Sequence, residues 1–199
     1  MKLIITRHGE TEENVKGILQ GHLPGKLTKT GIKQARKLAE RLKNEKIDVI
    51  FSSDLSRASD TAKEIAKFHP ESPIYFVKEL RERFMGSLQG REKTEIKGWD
   101  DLSKRDELHK LACSETIEDM VSRIEKFLNK ILKKYHGKNV LIVGHGGPNL
   151  GFISVLLKKP WRELSEYKPE NTSVTVFEFD ENKKPELKVM NCIKHLEKK

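Results

Sequence analysis

The sequence predicts an α/β fold, a three-layer αβα sandwich with a mostly parallel central sheet. Two observations lead to this prediction: short apolar segments alternate with amphipathic helical patterns, and the first four of these segments are apolar throughout. The 199-residue chain has no Gly-, Ser- or Pro-rich linker and is long enough for one substantial core. We therefore expect a single domain over residues 1–199.

Six segments have the composition and length of β-strands. The first four are short and apolar, as is typical of parallel strands that helices cover on both faces. In chain order, the predicted strands cover residues 3–6, 49–52, 74–77, 140–143, 174–179 and 187–192.

Helical patterns lie between most of these strands. Thr28 or Thr30 could cap the first helix, and Thr116 and Asp119 have the spacing of a capping box before a later one. Pro148 suits the first turn of the last helix. In chain order, the predicted helices cover residues 32–42, 55–66, 99–111, 117–135 and 148–157.

The charge balance favours anionic ligands. The chain carries 39 Lys and Arg against 30 Asp and Glu, a net charge of +9, which is compatible with phosphorylated metabolites, nucleic acids or anionic membranes. The lysines are scattered and no nucleic-acid-binding module is recognisable, so we expect no nucleic-acid partner. No apolar run reaches the length of a membrane span and no signal peptide is evident, which predicts a soluble protein without a membrane partner.

The chain contains two cysteines, Cys113 and Cys192, far apart and without a neighbouring ligand motif. Neither a disulfide framework nor a zinc site is indicated by this pattern. Unpaired cysteines are typical of a reducing compartment, so we expect a cytoplasmic location.

Two histidines directly follow predicted strands. Arg7 and His8 come after the first strand, and His145 lies between glycines after the fourth. In an open α/β sheet ligands bind outside the carboxyl ends of the strands, so these side chains should face one crevice. Arg57 follows the second strand and could bind phosphate oxygens together with Arg7, although pairing with a nearby aspartate is the alternative. The set predicts a pocket for a phosphoryl group.

Chemistry in such a pocket requires a nucleophile and a proton donor. A neutral imidazole can attack phosphorus and form a phosphohistidine, which divides one difficult displacement into two easier ones. The residues alone leave open which of His8 and His145 attacks. A carboxylic acid can protonate the departing oxygen and later accept a proton from water. Glu82 is the best candidate because it lies in a Gly-punctuated loop, although Glu79 and Glu92 are close in sequence.

Four separated motifs match a known pattern. In chain order they are Arg7-His8-Gly9-Glu10-Thr11 with Asn14, Ser52-Ser53-x-x-x-Arg57, Leu80-x-Glu82 followed by Gly86 and Gln89-Gly90, and Gly144-His145-Gly146. Together they resemble the histidine phosphatase superfamily, also called phosphoglycerate mutase-like, over almost the whole chain. The resemblance implies the phosphoglycerate mutase-like form of the αβα sandwich.

The resemblance also implies roles for individual residues. His8 is implied as the phosphorylated nucleophile, because Arg7 and Glu10-Thr11 match the nucleophile motif, and Glu82 is implied as the proton donor. No metal or organic cofactor is expected, since arginine and histidine would neutralise the phosphoryl charge that magnesium neutralises elsewhere. The residues implied to bind the phosphoryl group or to line its entrance are Arg7, Arg57, His145, Asn14, Gln20, Gly21 and Gly146.

Three functions are compatible with these motifs. In a phosphatase water removes the phosphoryl group from His8, whereas in a phosphoglycerate mutase another substrate hydroxyl receives it. The loop from Glu82 to Gly90 looks mutase-like, but the segment after it is too short for the mutase insertion, and Gly147-Pro148 resembles the phosphatases. A short lid admits water, which favours hydrolysis.

We therefore predict a phosphatase of a small phosphorylated metabolite. Phosphoglycerate mutase is the alternative. A non-catalytic member of the superfamily that binds a phosphorylated ligand is the third hypothesis. Dimers are common in the family, which makes a homodimer a candidate assembly.

Overall fold

The computed structural model describes residues 1–101, 104–164 and 167–197. Six strands in these ranges form one sheet, and each overlaps its predicted segment. They are β1 (Lys2–Arg7), β2 (Val49–Ser53), β3 (Ile74–Val77), β4 (Asn139–Gly144), β5 (Val174–Phe179) and β6 (Pro185–Cys192).

The strand order across the sheet is β3-β2-β4-β1-β5-β6. Strands β1 to β4 are parallel, whereas β5 runs antiparallel to β1 and β6 antiparallel to β5. The prediction of a mostly parallel sheet is confirmed. Strands β1 and β4 pair as far as Arg7 opposite Gly144, so the two histidine motifs leave the sheet side by side.

The helices follow the predicted capping signals. The Thr28 hydroxyl accepts a 2.9 Å hydrogen bond from the Gly31 N–H, so Thr28 rather than Thr30 caps its helix. Thr116 caps the long helix that follows it in the same way, through the N–H of Asp119. The α-helices of the described ranges are α1 (Glu12–Val15), α2 (Lys29–Leu42), α3 (Ser56–Ala66), α4 (Arg105–Leu111), α5 (Ile117–Lys134), α6 (Gly146–Leu157) and α7 (Trp161–Leu164).

The predicted helix over residues 99–111 is wrong in its first part. Helix α4 begins only at Arg105, and residues 102–103 lie outside the described ranges. Gly98 has a left-handed φ of +83°, so the chain turns just before Trp99. Trp99 then packs against a small apolar cluster that includes Ile96. Tertiary packing and the glycine turn override the helical pattern here.

Helices cover both faces of the sheet. On one face, Leu3 and Ile5 of β1 pack in a core with residues of α5 and α6. On the other face, Ile4 packs in a second core with residues of α2 and α3. Successive residues of one strand thus point to opposite layers, which confirms the three-layer αβα sandwich. Among the helices of the described ranges, none combines the length and apolar character needed to cross a membrane.

The start of α2 packs directly on the first histidine motif. A Cβ on Gly9 would overlap the carbonyl oxygen of Gly31, and a Cβ on Gly31 would overlap that of Glu10. Thr28 strengthens this contact, because its N–H donates to the Glu10 carbonyl at 3.0 Å and its hydroxyl donates to the Glu10 carboxylate at 2.7 Å. The two glycines therefore allow the helix to fix the backbone next to His8.

Candidate active site

A cavity of about 250 Å³ opens where β1, β2 and β4 end. Arg7 and His8 enter it from β1, Arg57 from the start of α3, and Gly147 from the start of α6. Most of the predicted site residues line it, namely Arg7, His8, Asn14, Gln20, Gly21, Arg57 and Glu82. The topology therefore brings together side chains that are far apart in sequence.

The two remaining predicted residues lie directly behind this lining. The ring centroid of His145 is 5.1 Å from that of His8, with the rings edge to face. A Cβ placed on Gly146 would be 3.9 Å from both Arg7 Nε and Glu82 Oε2. The backbone at the start of α6 therefore adjoins both groups.

His8 is held in a single orientation and is only 2% exposed. Its Nδ1 lies 2.7 Å from the carbonyl oxygen of Gly9. A carbonyl only accepts hydrogen bonds, so Nδ1 carries the proton and Nε2 keeps its lone pair. Burial, and then the positive charges of Arg57 and Arg7, lower the pKa of His8 well below 6.5. The ring is therefore neutral at neutral pH, the form in which imidazole is a nucleophile.

His145 is fully buried, and neither of its ring nitrogens has a hydrogen-bond partner. Burial is the largest cause that lowers its pKa well below 6.5, followed by the charge of Arg57. Buried polar atoms without partners are rare in folded proteins and mark places where a ligand or water can bind. A phosphoryl oxygen beside His8 could accept a hydrogen bond from the one N–H of the neutral ring.

Arg57 is 1% exposed and is anchored by backbone carbonyls. Its Nη1 donates to the carbonyls of Leu23 and Pro24, and its Nη2 donates to that of Gly21 at 2.8 Å. Burial lowers the pKa of Arg57 to about 10, which still leaves it charged at neutral pH. The alternative of an ion pair with Asp54 is not observed, since that carboxylate binds Arg81 at 2.6 Å.

Arg7 is anchored in a similar way, with Nη1 donating to the carbonyl of Pro169 at 2.8 Å. In both Arg7 and Arg57 the buried Nε has no partner. These two N–H donors and the ring of His145 thus lack partners next to the same cavity. Three cationic or polar groups with unused hydrogen-bonding capacity fit an anion with several oxygens.

Glu82 is the only carboxylate among the described residues that line the cavity, because neither Glu79 nor Glu92 reaches it. Its Oε1 accepts from the N–H of Arg83 at 2.8 Å, and its Oε2 accepts from that of Gly147 at 3.3 Å. Two backbone N–H groups therefore hold the side chain of Glu82 at the cavity, one of them at the start of α6.

Three predicted residues that line the cavity also make structural contacts: Asn14, Gln20 and Gly21. The Gln20 side-chain amide donates to the Thr11 hydroxyl at 2.9 Å, while its Oε1 is buried without a partner. The Asn14 side-chain oxygen accepts from the Thr11 N–H at 3.2 Å. Gly21 contributes its carbonyl to Arg57. These residues hold the first motif and Arg57 in place at the cavity wall.

Sequence reasoning missed Asn171. Its side-chain amide donates to the carbonyl of His8 at 2.9 Å and to the Asn14 side-chain oxygen at 3.4 Å. No direct signal was present in the sequence, because the antiparallel pairing of β5 with β1 was not predicted. A strand paired in this way begins where β1 ends. The segment just before β5 therefore had to lie close to His8.

The cavity wall also contains apolar and cationic side chains. Arg83 and Lys93 line it together with Ile18, Met85, Met120 and Trp161. Across the described parts of the chain, no group of three or more His, Cys, Asp or Glu side chains is arranged to hold a metal ion.

Residues 3–193 match the family described as the histidine phosphatase superfamily, branch 1. The chain is 39% identical over 155 residues to a metal-independent phosphoserine phosphatase of Arabidopsis thaliana, a match that covers 73% of this chain and 64% of that protein. It is 28% identical over 196 residues to the adenosylcobalamin/alpha-ribazole phosphatase of Escherichia coli, covering 96% of each chain.

The solved structure of a phosphoserine phosphatase from Entamoeba histolytica, in complex with 3-phosphoglyceric acid, superposes with a TM-score of 0.83. The two chains are 30% identical, and the match covers 98% of each. These comparisons confirm the predicted fold class. They also favour a phosphoric monoester hydrolase over the mutase alternative.

Proposed function

The chain belongs to the histidine phosphatase superfamily, branch 1, and we propose that it hydrolyses small phosphate monoesters through a phosphohistidine formed on His8. The observation that carries this proposal is the set of unpartnered groups around His8: Nε of Arg7, Nε of Arg57 and the ring of His145. The oxygens of a bound phosphoryl group would accept from the two arginine Nε–H groups and from the one N–H of the neutral His145 ring. The two arginines would neutralise charge that develops during transfer, and the neutral ring of His145 would donate a hydrogen bond to it.

In the first step, Nε2 of His8 attacks phosphorus and the bond to the ester oxygen breaks. The acid form of Glu82 gives its proton to that oxygen, so an alcohol leaves rather than an alkoxide. Arg7 and Arg57 bind the oxygens of the transferred group throughout. The products of this step are the free alcohol, the phosphohistidine and the Glu82 carboxylate.

In the second step, the Glu82 carboxylate takes a proton from a water molecule as the water oxygen attacks phosphorus. The bond from phosphorus to Nε2 of His8 breaks, inorganic phosphate forms and the neutral imidazole returns. Glu82 is then protonated again and ready for the next ester. The residues therefore complete a cycle in which no metal or organic cofactor takes part.

The substrate we propose is a small phosphorylated metabolite that carries a second anionic group. The cationic side chains of Arg83 and Lys93 support this, because they add positive charge to the cavity wall. The relative from Arabidopsis thaliana is named for phosphoserine, which carries a carboxylate. Phosphoserine and the phosphoglycerates are therefore the first esters to test.

Several broader expectations belong to the same proposal. Cys113 and Cys192 form no disulfide, which supports a cytoplasmic enzyme. We also propose one domain over residues 1–199, no nucleic-acid partner, and a homodimer as the assembly to test first by sedimentation.

The proposal is tested by hydrolysis of p-nitrophenyl phosphate and of a panel of phosphorylated metabolites in the presence of a chelator. The wild-type enzyme should release phosphate, and His8→Ala should lower kcat/KM at least about a thousandfold. His136→Ala is the matched control, because His136 is exposed and does not line the cavity. Undiminished hydrolysis by His8→Ala would rule out the mechanism, and rapid interconversion of 2- and 3-phosphoglycerate with negligible hydrolysis would favour the mutase.

A further inference from the structure

Arg123 reaches from α5 to the loop that carries Glu82. Its Nη1 donates to the carbonyl of Glu79 at 2.6 Å. Its Nη2 donates to the carbonyls of Arg81 at 2.8 Å and of Glu82 itself at 3.2 Å. One guanidinium thus binds three backbone carbonyls across four consecutive residues of the loop.

An ion pair anchors this guanidinium. Nε of Arg123 lies 2.6 Å from Oε1 of Glu115, and Nη2 donates to Oε2 of the same carboxylate at 3.0 Å. The Arg123 and Glu115 side chains are 22% and 16% exposed. Glu115 also binds the far end of the loop, since it exchanges hydrogen bonds with the backbone of Phe84. The pair therefore holds the segment from Glu79 to Phe84 at both of its ends.

His22 holds the opposite side of the same loop. Its Nε2 lies 2.8 Å from the carbonyl oxygen of Glu82, which only accepts, so Nε2 carries the proton. The carbonyl of Glu82 thus receives hydrogen bonds from both His22 and Arg123. The backbone that carries the proposed acid is fixed from two sides, whereas its carboxylate faces the cavity.

We propose that Arg123 is a positioning residue that fixes Glu82 for proton transfer to and from the reacting oxygen. Proton transfer requires a carboxyl oxygen of Glu82 and the reacting oxygen to lie within hydrogen-bonding distance. A displacement of about 1 Å can lower the rate about a hundredfold. A planar guanidinium can bind a carboxylate and several carbonyls at once, whereas a lysine is a single point charge. The inference rests on the proposed function, because it assumes that Glu82 is the acid.

Varying the leaving group distinguishes a positioning role of Arg123 from a general loss of structure. The dependence of kcat/KM on the pKa of the leaving alcohol is measured with substituted phenyl phosphates and with phosphoserine for Glu82→Gln, Arg123→Gln, Arg123→Lys and the double variant Glu82→Gln/Arg123→Gln. Arg41→Gln is the matched control. Arg41 also donates to a backbone carbonyl, that of Cys192, but it does not line the cavity.

We expect Arg123→Gln to lower kcat/KM for phosphoserine about tenfold or more and to change p-nitrophenyl phosphate hydrolysis much less, because nitrophenolate leaves without a proton. Arg123→Lys should show the same selective loss of kcat/KM for phosphoserine with a smaller loss of folding stability. Arg41→Gln should show no selective loss. The double variant should be no slower on phosphoserine than Glu82→Gln alone, since the acid it positions is already absent.

Equal losses for all leaving groups in both Arg123 variants would overturn the inference and assign Arg123 a structural role. If Glu82→Gln does not change how kcat/KM depends on the pKa of the leaving alcohol, Glu82 is not the acid. In that case the proposed mechanism has no identified proton donor, and the positioning role of Arg123 is contradicted as well. The two failures are thus distinguished by which variant shows the selective loss.

Discussion

His8 combines the tautomer and the charge state that a nucleophilic imidazole needs. The Gly9 carbonyl holds the proton on Nδ1, and burial with the neighbouring arginines keeps the ring neutral. The sequence predicted which residue types meet at the strand ends, but the residues alone did not separate His8 from His145. The difference arises from backbone geometry, because of these two histidines His8 alone has a carbonyl that fixes its tautomer.

The lowered pKa of His8 is directly measurable. In an NMR titration of ring nitrogens, we expect the His8 ring to stay predominantly neutral at pH 6.5, where a histidine in a short peptide is half protonated. Comparison with the spectrum of His8→Asn would identify the signal. A His8 ring that is half protonated at pH 6.5 would contradict the proposed charge state.

The same shift predicts how stability depends on pH. Well above pH 6.5 the ring is neutral in both the folded and the unfolded chain, so its titration does not make stability depend on pH there. As the pH falls below 6.5, the unfolded chain binds protons that the buried rings of His8 and His145 exclude. The free energy of unfolding therefore decreases as the pH falls through this range.

At the scale of secondary structure, α6 supplies both a backbone donor and space for Glu82. The N–H of Gly147 donates to Oε2 of Glu82 at 3.3 Å, and a Cβ on Gly147 would overlap Oε1 of the same carboxylate. A larger residue at this position would therefore push the Glu82 carboxylate away from the start of the helix.

Gly147→Ala should displace the Glu82 carboxylate and lower kcat/KM for phosphoserine about tenfold or more. Gly151→Ala is the matched control in the same helix, since its Cβ would make only ordinary contacts with Ile124 at 3.7–3.8 Å. We expect the control to keep its activity and to change the free energy of unfolding by less than about 1 kcal/mol. Equal kcat/KM values for the two variants would show that the space at Gly147 does not matter for catalysis.

Elements with strong periodicity were predictable from the sequence, whereas the loops around the site were not. The apolar stripe after Thr116 became α5 as expected, because an amphipathic period fixes a helix locally. The contacts of Arg123 depend instead on which face of α5 meets the loop before it. The turn at Gly98 that delays α4 depends on packing in the same way.

At the scale of the whole molecule, the site is a product of the sheet order. Strands β2, β4 and β1 are neighbours in the sheet although they are far apart in the chain. Their carboxyl ends deliver Arg57, His145 and His8 to one place, as the rule for parallel sheets predicts. The sequence could therefore predict that these residues meet, but the depth of burial that leaves their polar atoms unpartnered required the packed structure.

The central claim is that His8 carries the phosphoryl group between the ester and water. It is tested most directly by rapid quenching of a single turnover in ¹⁸O-labelled water, followed by mass spectrometry of the peptide that contains His8. We predict a transient phosphoryl group on Nε2 of His8 and inorganic phosphate that contains one labelled oxygen. Release of phosphate in the first turnover without phosphohistidine, or with the phosphoryl group on His145, would contradict the account.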